Sequence, residues 1–259
     1  MIAPQLRVSA LSKAFGGVMA VDQVSFDLEA GKVNSIIGPN GAGKTTLLNL
    51  LTGVYAPSAG KVAFEGDDVT GLAPFELAAR GMARTFQNLQ IFFNMSALEN
   101  VMVGRHLRER AGWLAAMLRS RGLAAGERAS REESAELMRF VGLGDYLGAE
   151  ADAMPYGALK RLEIARALGG RPKLLLLDEP AAGLNQTETQ AINALITRLA
   201  KSGVTVVLVE HNMRLVMGVS GRVLVLDYGR KLAEGAPESV RSDPRVIEAY
   251  LGSAEPAAC

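Results

Sequence analysis

Residues 38–46 read GPNGAGKTT, which sets Gly38, Gly43, Lys44 and Thr45 in the spacing G-x-x-x-x-G-K-[ST]. Glycines at those places let the backbone curl so that its N–H groups, and those of the helix turn that follows, surround a polyphosphate. Pro39, Asn40, Gly41 and Ala42 complete the loop, and Thr46 extends the first helical turn. Lys44 then neutralises β- and γ-oxygens, and the Thr45 hydroxyl is placed to ligate Mg²⁺. Such a loop requires an acid at the tip of a neighbouring strand, and Asp178 with Glu179 follows the run Leu174–Leu177. The pair divides the labour: Asp178 reaches the metal through water, while Glu179 orients and deprotonates an attacking water. His211 comes just after the apolar run Val204–Val209 and Glu210, past a strand end where parallel sheets gather ligand contacts, and is expected at the γ-phosphate. The other histidine, His106, closes a helical pattern and reads as an ordinary helix residue near the negative end of the dipole.

These residues need elements to hold them. Val33–Ile37 is a short apolar run before the Gly-rich loop, and Lys44–Leu51 is a helical pattern stopped by Gly53, giving strand, loop and helix in that order. Upstream, Leu6–Phe26 alternates as two strands around Gly16-Gly17. Val62–Phe64 with the turn Glu65-Gly66-Asp67-Asp68 reads as a further hairpin, and Pro74 opens a helix through Arg80. Leu174–Leu177 and Val204–Val209 are continuous apolar runs, as expected of strands buried on both faces of a parallel sheet, with a helix Glu188–Ala200 between them. Val223–Leu226 makes one more strand. Asp243 caps a short helix from Pro244 to Tyr250 ahead of a frayed tail.

The 134 positions from Lys44 to Asp178 exceed a single β-α-β crossover, so a substantial segment is inserted between them. From Asn88 to Met154 the pattern is helical, at Leu98–Leu107, Ala111–Leu118 and Arg131–Val141. Arg105–Glu133 holds seven Arg and four Glu and reads as a solvated helix face. A helix then runs from Gly157 to Leu168 and ends in a Gly C-cap before Pro172.

Composition narrows the partners. The 259 residues carry 28 Lys+Arg against 27 Asp+Glu, so no bulk attraction to nucleic acid is expected, and 49% hydrophobic content supplies a core. No apolar stretch approaches the roughly 20 residues of a membrane helix. The N-terminal residues lack an export-signal pattern, so the chain is expected to stay in the cytoplasm. The one cysteine, Cys259, offers neither an intrachain disulfide nor a protein-only zinc site.

Taken together, the motifs resemble those of the ATP-binding subunits of ABC transporters, in the family's order and over about Leu6–Gly252. Phe15, 23 residues before Gly38, matches the aromatic that stacks on adenine. Gln87 in RTFQN matches the Q-loop, which senses the γ-phosphate and Mg²⁺. KLLLLDEP matches the Walker B strand, AAGLN from Ala181 the D-loop, His211 the switch histidine, and MPYGALKRLEIARAL from Met154 the signature segment. The family's LSGGQ is here Met154-Pro155-Tyr156-Gly157-Ala158. Pro155 has neither hydroxyl nor N–H, so the contact to ATP on a partner subunit falls to the backbone at Gly157 and Ala158 and to the helix dipole. The Tyr-Gly signature, LENVMVGRH, EHNMRLVMGVS and the ending IEAYLG are similar to the LivG-type branch that serves branched-chain amino acid importers.

The resemblance implies a P-loop NTPase of α/β class: a RecA-like core with an antiparallel β subdomain and an inserted helical subdomain. One ABC ATPase domain is expected over 1–259, with a nucleotide-binding core (1–87 and 158–235), a helical subdomain (88–157) and a C-terminal helix and tail (236–259). ATP and Mg²⁺ are the implied ligands, with Thr45, Gln87 and Asp178 on the metal side and Glu179, His211 and Gln87 at the reaction. Implied partners are a second, related ATPase subunit, two permease subunits and, through them, an external binding protein, on the cytoplasmic face of the inner membrane. The same ATPase role for another cargo (urea, amides, aromatic acids or exported lipid), or a soluble mechanical ATPase of the same type, is the alternative.

Overall fold

A computed structural model describes residues 4–108 and 121–252. The chain opens with β1 (Leu6–Phe15) and β2 (Val18–Leu28), paired antiparallel around Gly16-Gly17 as expected. After β3 (Val33–Ile37) and α1 (Lys44–Leu51), β4 (Ala59–Phe64) and β5 (Asp67–Asp68) complete a four-stranded antiparallel sheet, ordered β2-β1-β4-β5. The turn before β5 is shorter than the sequence suggested. Glu65 and Gly66 alone take left-handed φ of 52° and 92°, as a two-residue turn demands, and Asp67 pairs with Phe64.

Beyond α2 (Pro74–Ala79) comes β6 (Met82–Arg84), followed by α3 (Ala97–Val103), α4 (Arg121–Phe140) and α5 (Tyr156–Gly169). Strand and helix then alternate through β7 (Leu174–Asp178), α6 (Gln186–Lys201), β8 (Thr205–Val209), α7 (Met213–Val219) and β9 (Arg222–Asp227). The described chain closes with β10 (Arg230–Gly235), α8 (Pro237–Arg241) and α9 (Pro244–Gly252). The second sheet runs β10-β9-β3-β8-β7-β6, parallel except for the antiparallel edge strand β10. β3, β7 and β8 are buried along their whole length. Each leucine of Leu174–Leu177 is sealed from solvent, worth about 1.5–3 kcal/mol apiece. One core packs the helices against this sheet; a second fills the space between the two sheets around α1. A smaller third joins α8 and α9 to Ile37 at the end of β3.

Several sequence expectations are corrected. α3 ends at Val103, where Gly104 lies against the Arg166 carbonyl too closely for any side chain, so the Leu98–Leu107 pattern is cut short. His106 falls in a 3-10 turn after that helix, its Nδ1 3.0 Å from the Val103 carbonyl. The helix expected from Arg131 begins at Arg121; the Ala111–Leu118 pattern lies outside the described residues. α5 does not end on a left-handed glycine. Gly170 stays right-handed, and Arg171 takes φ 50°.

The solvated-face reading of Arg105–Glu133 fails at both ends. Arg105 is buried, donates from Nε to Ser130 Oγ (3.1 Å) and sits 2.7 Å from a Glu133 oxygen that Arg171 also holds. The hydrogen bond from Arg105, with Arg171 behind it, holds the Glu133 carboxyl below the usual carboxylate range. This cluster joins α3, α4 and the end of α5.

Candidate active site

The loop from Gly38 to Gly43 turns where only glycine fits. A Cβ at Gly38 (φ 154°) would overlap the Leu226 carbonyl oxygen, and one at Gly43 (φ 94°) the Ala20 carbonyl oxygen. Ala42 is buried beneath the loop, while Asn40, Gly41 and Thr45 face solvent. Lys44 Nζ folds back to donate to the Gly38 and Pro39 carbonyls, 2.7 and 2.9 Å away. Burial pushes the Lys44 ammonium below its ordinary value, while the charges of Glu179 and Asp178 hold it up. A cation is thus set over the loop with two carboxylates facing it, beside the open first turn of α1.

Asp178 ends β7 and Glu179 follows it. Burial pushes the Asp178 carboxyl up, opposed chiefly by Arg84, whose Nη2 lies 2.9 Å from Asp178 Oδ2. Both side chains are nearly sealed, at 6% exposure for Arg84 and 5% for Asp178. Glu179 has a left-handed backbone, φ 48°, rare for a residue with a side chain. Its N–H donates to the Val209 carbonyl at 2.9 Å, which fixes the turn against the end of β8.

Two elements converge on the Glu179 carboxylate. Gln87 Nε2 donates to Oε2 at 3.1 Å, and His211 Nδ1 lies 3.7 Å from Oε1. The residues singled out from sequence as Gln87, Glu179 and His211 therefore form one cluster, at the same sheet edge as Asp178. His211 is largely exposed, and its backbone is set by Glu210, only 1% exposed. Glu210 accepts from the N–H groups of Ala181, His211 and Asn212 at 3.0, 3.2 and 3.3 Å, tying the loop after Glu179 to the histidine's turn. Sequence reasoning missed Glu210 as a site residue; its signal was an acid directly abutting a buried strand.

The remaining predicted positions lie apart from this cluster. Phe15 closes β1 and is half exposed, edge-on to Tyr55 with centroids 5.3 Å apart and Lys13 Nζ 5.1 Å above its ring. Pro155 and Tyr156 stand exposed at the start of α5, whereas Gly157 and Ala158 are buried. Gly157 abuts the Glu188 carboxyl of α6, where a Cβ would overlap it, and Tyr156 packs against Gly183. The Ala158 N–H donates to the Pro155 carbonyl at 2.9 Å, and the N–H groups of Tyr156 and Gly157 lead the helix.

α5 also holds the Gln87 loop, through residues not singled out from sequence. Lys160 Nζ donates to the Gln87 carbonyl (3.1 Å) and Glu163 Oε1 accepts from the Phe86 N–H (3.3 Å), both side chains being buried. Burial pushes the Glu163 carboxyl above its ordinary 4.5, partly offset by the Phe86 N–H. A carboxyl raised by folding favours the folded state fully below the unfolded value and loses that contribution as pH rises through the folded one. Glu163→Gln keeps an acceptor for Phe86 but carries no charge. Its melting temperature minus that of the wild type should rise from pH 4.5 toward neutrality and then level off. A difference that shrinks over that range would contradict the burial effect.

The donors available to a metal are hard oxygens: the exposed Thr45 hydroxyl, the Gln87 amide oxygen left by its Nε2 bond, and Asp178 Oδ1 beside the oxygen held by Arg84. That set suits Mg²⁺, which takes one or two protein ligands beside substrate phosphates. Among the described residues, no three His, Cys, Asp or Glu cluster as a dedicated cage.

The acid pair stands one strand further from the loop than the sequence suggested, since β8 runs between β3 and β7. A glycine-lined loop, that acid pair at the end of β7, and a glutamine and a histidine beside its second acid define a P-loop nucleotide hydrolase. Residues 21–182 match the ABC transporter family, and residues 230–256 match the family described as "Branched-chain amino acid ATP-binding cassette transporter". The chain is similar to the high-affinity branched-chain amino acid transport ATP-binding protein BraF of Pseudomonas aeruginosa, at 44% identity over 98% of this chain and all of that one. It is also similar to LivG of Escherichia coli K12, at 40% identity over the same shares. A solved ATP-binding cassette of an ABC transporter in its ADP conformation superposes with a TM-score of 0.84 at 32% identity, covering 97% of this chain and 100% of that one. The chain belongs to the ABC transporter ATP-binding family and is an ATPase.

Proposed function

We propose that this chain is the ATPase of an importer of branched-chain amino acids and that the cluster on Glu179 is its hydrolytic centre. The convergence of Gln87 and His211 on that one carboxylate, at the strand edge facing Lys44, carries the reading. Glu179 takes a proton from water as the water oxygen bonds to the γ-phosphorus and the bond to the β–γ bridging oxygen breaks. Lys44 and the loop N–H groups of residues 38–46 hold the phosphates, His211 bonds the γ-phosphate, and Phe15 stacks on the adenine. Thr45, Gln87 and Asp178 would hold Mg²⁺, which when bound would supply positive charge against the phosphates. Pro155, Tyr156, Gly157 and Ala158 face the ATP of a second, related ATPase subunit.

The cargo reading is supported by the printed functions of BraF and LivG and by the match at residues 230–256. Among the described residues no helix is long and apolar enough to cross a membrane, so transport requires membrane partners. Two permease subunits, fed by an external binding protein, fit that need at the cytoplasmic face. Their docking place is a groove of ≈ 580 Å³ beside the Gln87 loop, lined by Leu77, Phe86, Leu89, Phe92 and Arg166. The segment 88–157 acts as the lever between groove and core.

The test is uptake of radiolabelled leucine by cells of the source organism carrying only wild-type or Glu179→Gln chain, with redundant importers deleted and an unrelated amino acid as control. Selective loss of leucine uptake is the expected result. Undiminished uptake would retain the ATPase and discard the cargo.

A further inference from the structure

Among the described residues, Arg84 is the one whose side chain bonds the acid strand to the helix of the phosphate loop, and neither motif contains it. From the short edge strand β6 its guanidinium splits in two directions. Nη2 pairs with Asp178 Oδ2 at 2.9 Å, at the end of β7, while Nη1 donates to Asn49 Oδ1 at 2.5 Å and to Thr52 Oγ1 at 3.2 Å, at the far end of α1. Thr52 is itself anchored, its hydroxyl donating to the Leu48 carbonyl at 2.7 Å. The Phe86 ring caps the guanidinium 4.9 Å away.

An aspartate at a strand tip has two oxygens and free rotation between them. A buried partner that claims one oxygen sets the direction of the other, and a group oriented this way presents a fixed lone pair to whatever binds it. Arg84 claims Oδ2, so Oδ1 is the oxygen left to face the nucleotide side. The same guanidinium fixes α1, whose first turn carries Lys44 and Thr45. Three residues further along the chain, Gln87 reaches Glu179.

We propose that Arg84 is a positioning residue that aims Asp178 at the Mg²⁺ of the bound nucleotide and locks that aspartate to the helix bearing Thr45. This rests on the reading of Asp178 as a metal-side residue. Arg84 acts through Asp178, Asn49 and Thr52. Because it also lines the groove beside Phe86, a shift of the loop there moves the group that aims Asp178.

The experiment titrates full-length chain with a fluorescent ATP analogue at a series of Mg²⁺ concentrations and again in EDTA, comparing wild type, Arg84→Met, Arg84→Lys and Asp178→Asn. Arg84→Met should raise the Mg²⁺ concentration that gives half the gain in affinity by about 10- to 100-fold, the usual size of a lost outer-shell partner, while the EDTA affinity changes by less than about threefold. Arg84→Lys, which keeps a charge beside Asp178 but cannot hold α1 as well, should fall between the two and decides the matter if the Met variant does not fold. Equal weakening with and without Mg²⁺, or an unchanged Mg²⁺ midpoint in both Arg84 variants, would overturn the proposal. An unchanged midpoint in Asp178→Asn would instead sink the metal-side reading of Asp178 on which it rests.

Discussion

Glu179→Gln should lower ATP turnover by about 10²- to 10⁴-fold, the usual contribution of a general base, and leave nucleotide affinity within a few-fold of the wild type. The substitution is almost purely chemical. Glutamine has the same shape, occupies the same φ of 48° at the same cost, and retains an oxygen to accept from Gln87. What it loses is the ability to take a proton and the negative charge facing His211 and Lys44. Phosphate release by the purified chain and titration with a fluorescent ATP analogue separate the two properties. Near-normal hydrolysis would move the general base elsewhere; parallel loss of binding would mean that the carboxylate positions the loop.

Lys44→Ala should reverse that pattern and act first on binding. Its amino group hydrogen-bonds the loop carbonyls of Gly38 and Pro39, and the charges of Glu179 and Asp178 oppose the lowering of its pKa that burial causes. Hydrogen bonds to a charged group are worth about 1.5–3 kcal/mol, so removing the donor that meets the phosphates should weaken ATP affinity by about 10- to 100-fold. Adenosine, which has no phosphate, serves as the control, and its weak binding should not change. Equal losses for ATP and adenosine would point to collapse of the loop.

What was legible in the sequence is what has local consequences. The loop from Gly38 to Thr45 declares itself because a backbone that wraps phosphate needs glycine at set positions, and Leu174–Leu177 because a strand sealed on both faces has no polar alternation. Glu179 and His211 could be singled out because each lies within two residues of such a strand's end. Arg84, Lys160 and Glu163 could not, since their importance comes from partners 94, 73 and 77 residues away along the chain. β10 was missed because an edge strand needs no apolar pattern, and none of its residues Arg230–Gly235 is fully buried. The Arg105–Glu133 stretch misled because a charge-rich sequence looks the same whether its arginine meets water or, like Arg105, a glutamate and a serine inside the protein.

The left-handed turn at Glu179 sets two selective pressures against each other. A residue with a side chain costs about 1–3 kcal/mol in such a conformation, and glycine would relieve most of it. Screening a mutant library for heat resistance alone would therefore enrich a sturdier, inert protein with glycine at 179. In a lineage that retains glutamate there, the cell must be selecting for turnover and accepting a lower melting point to keep it.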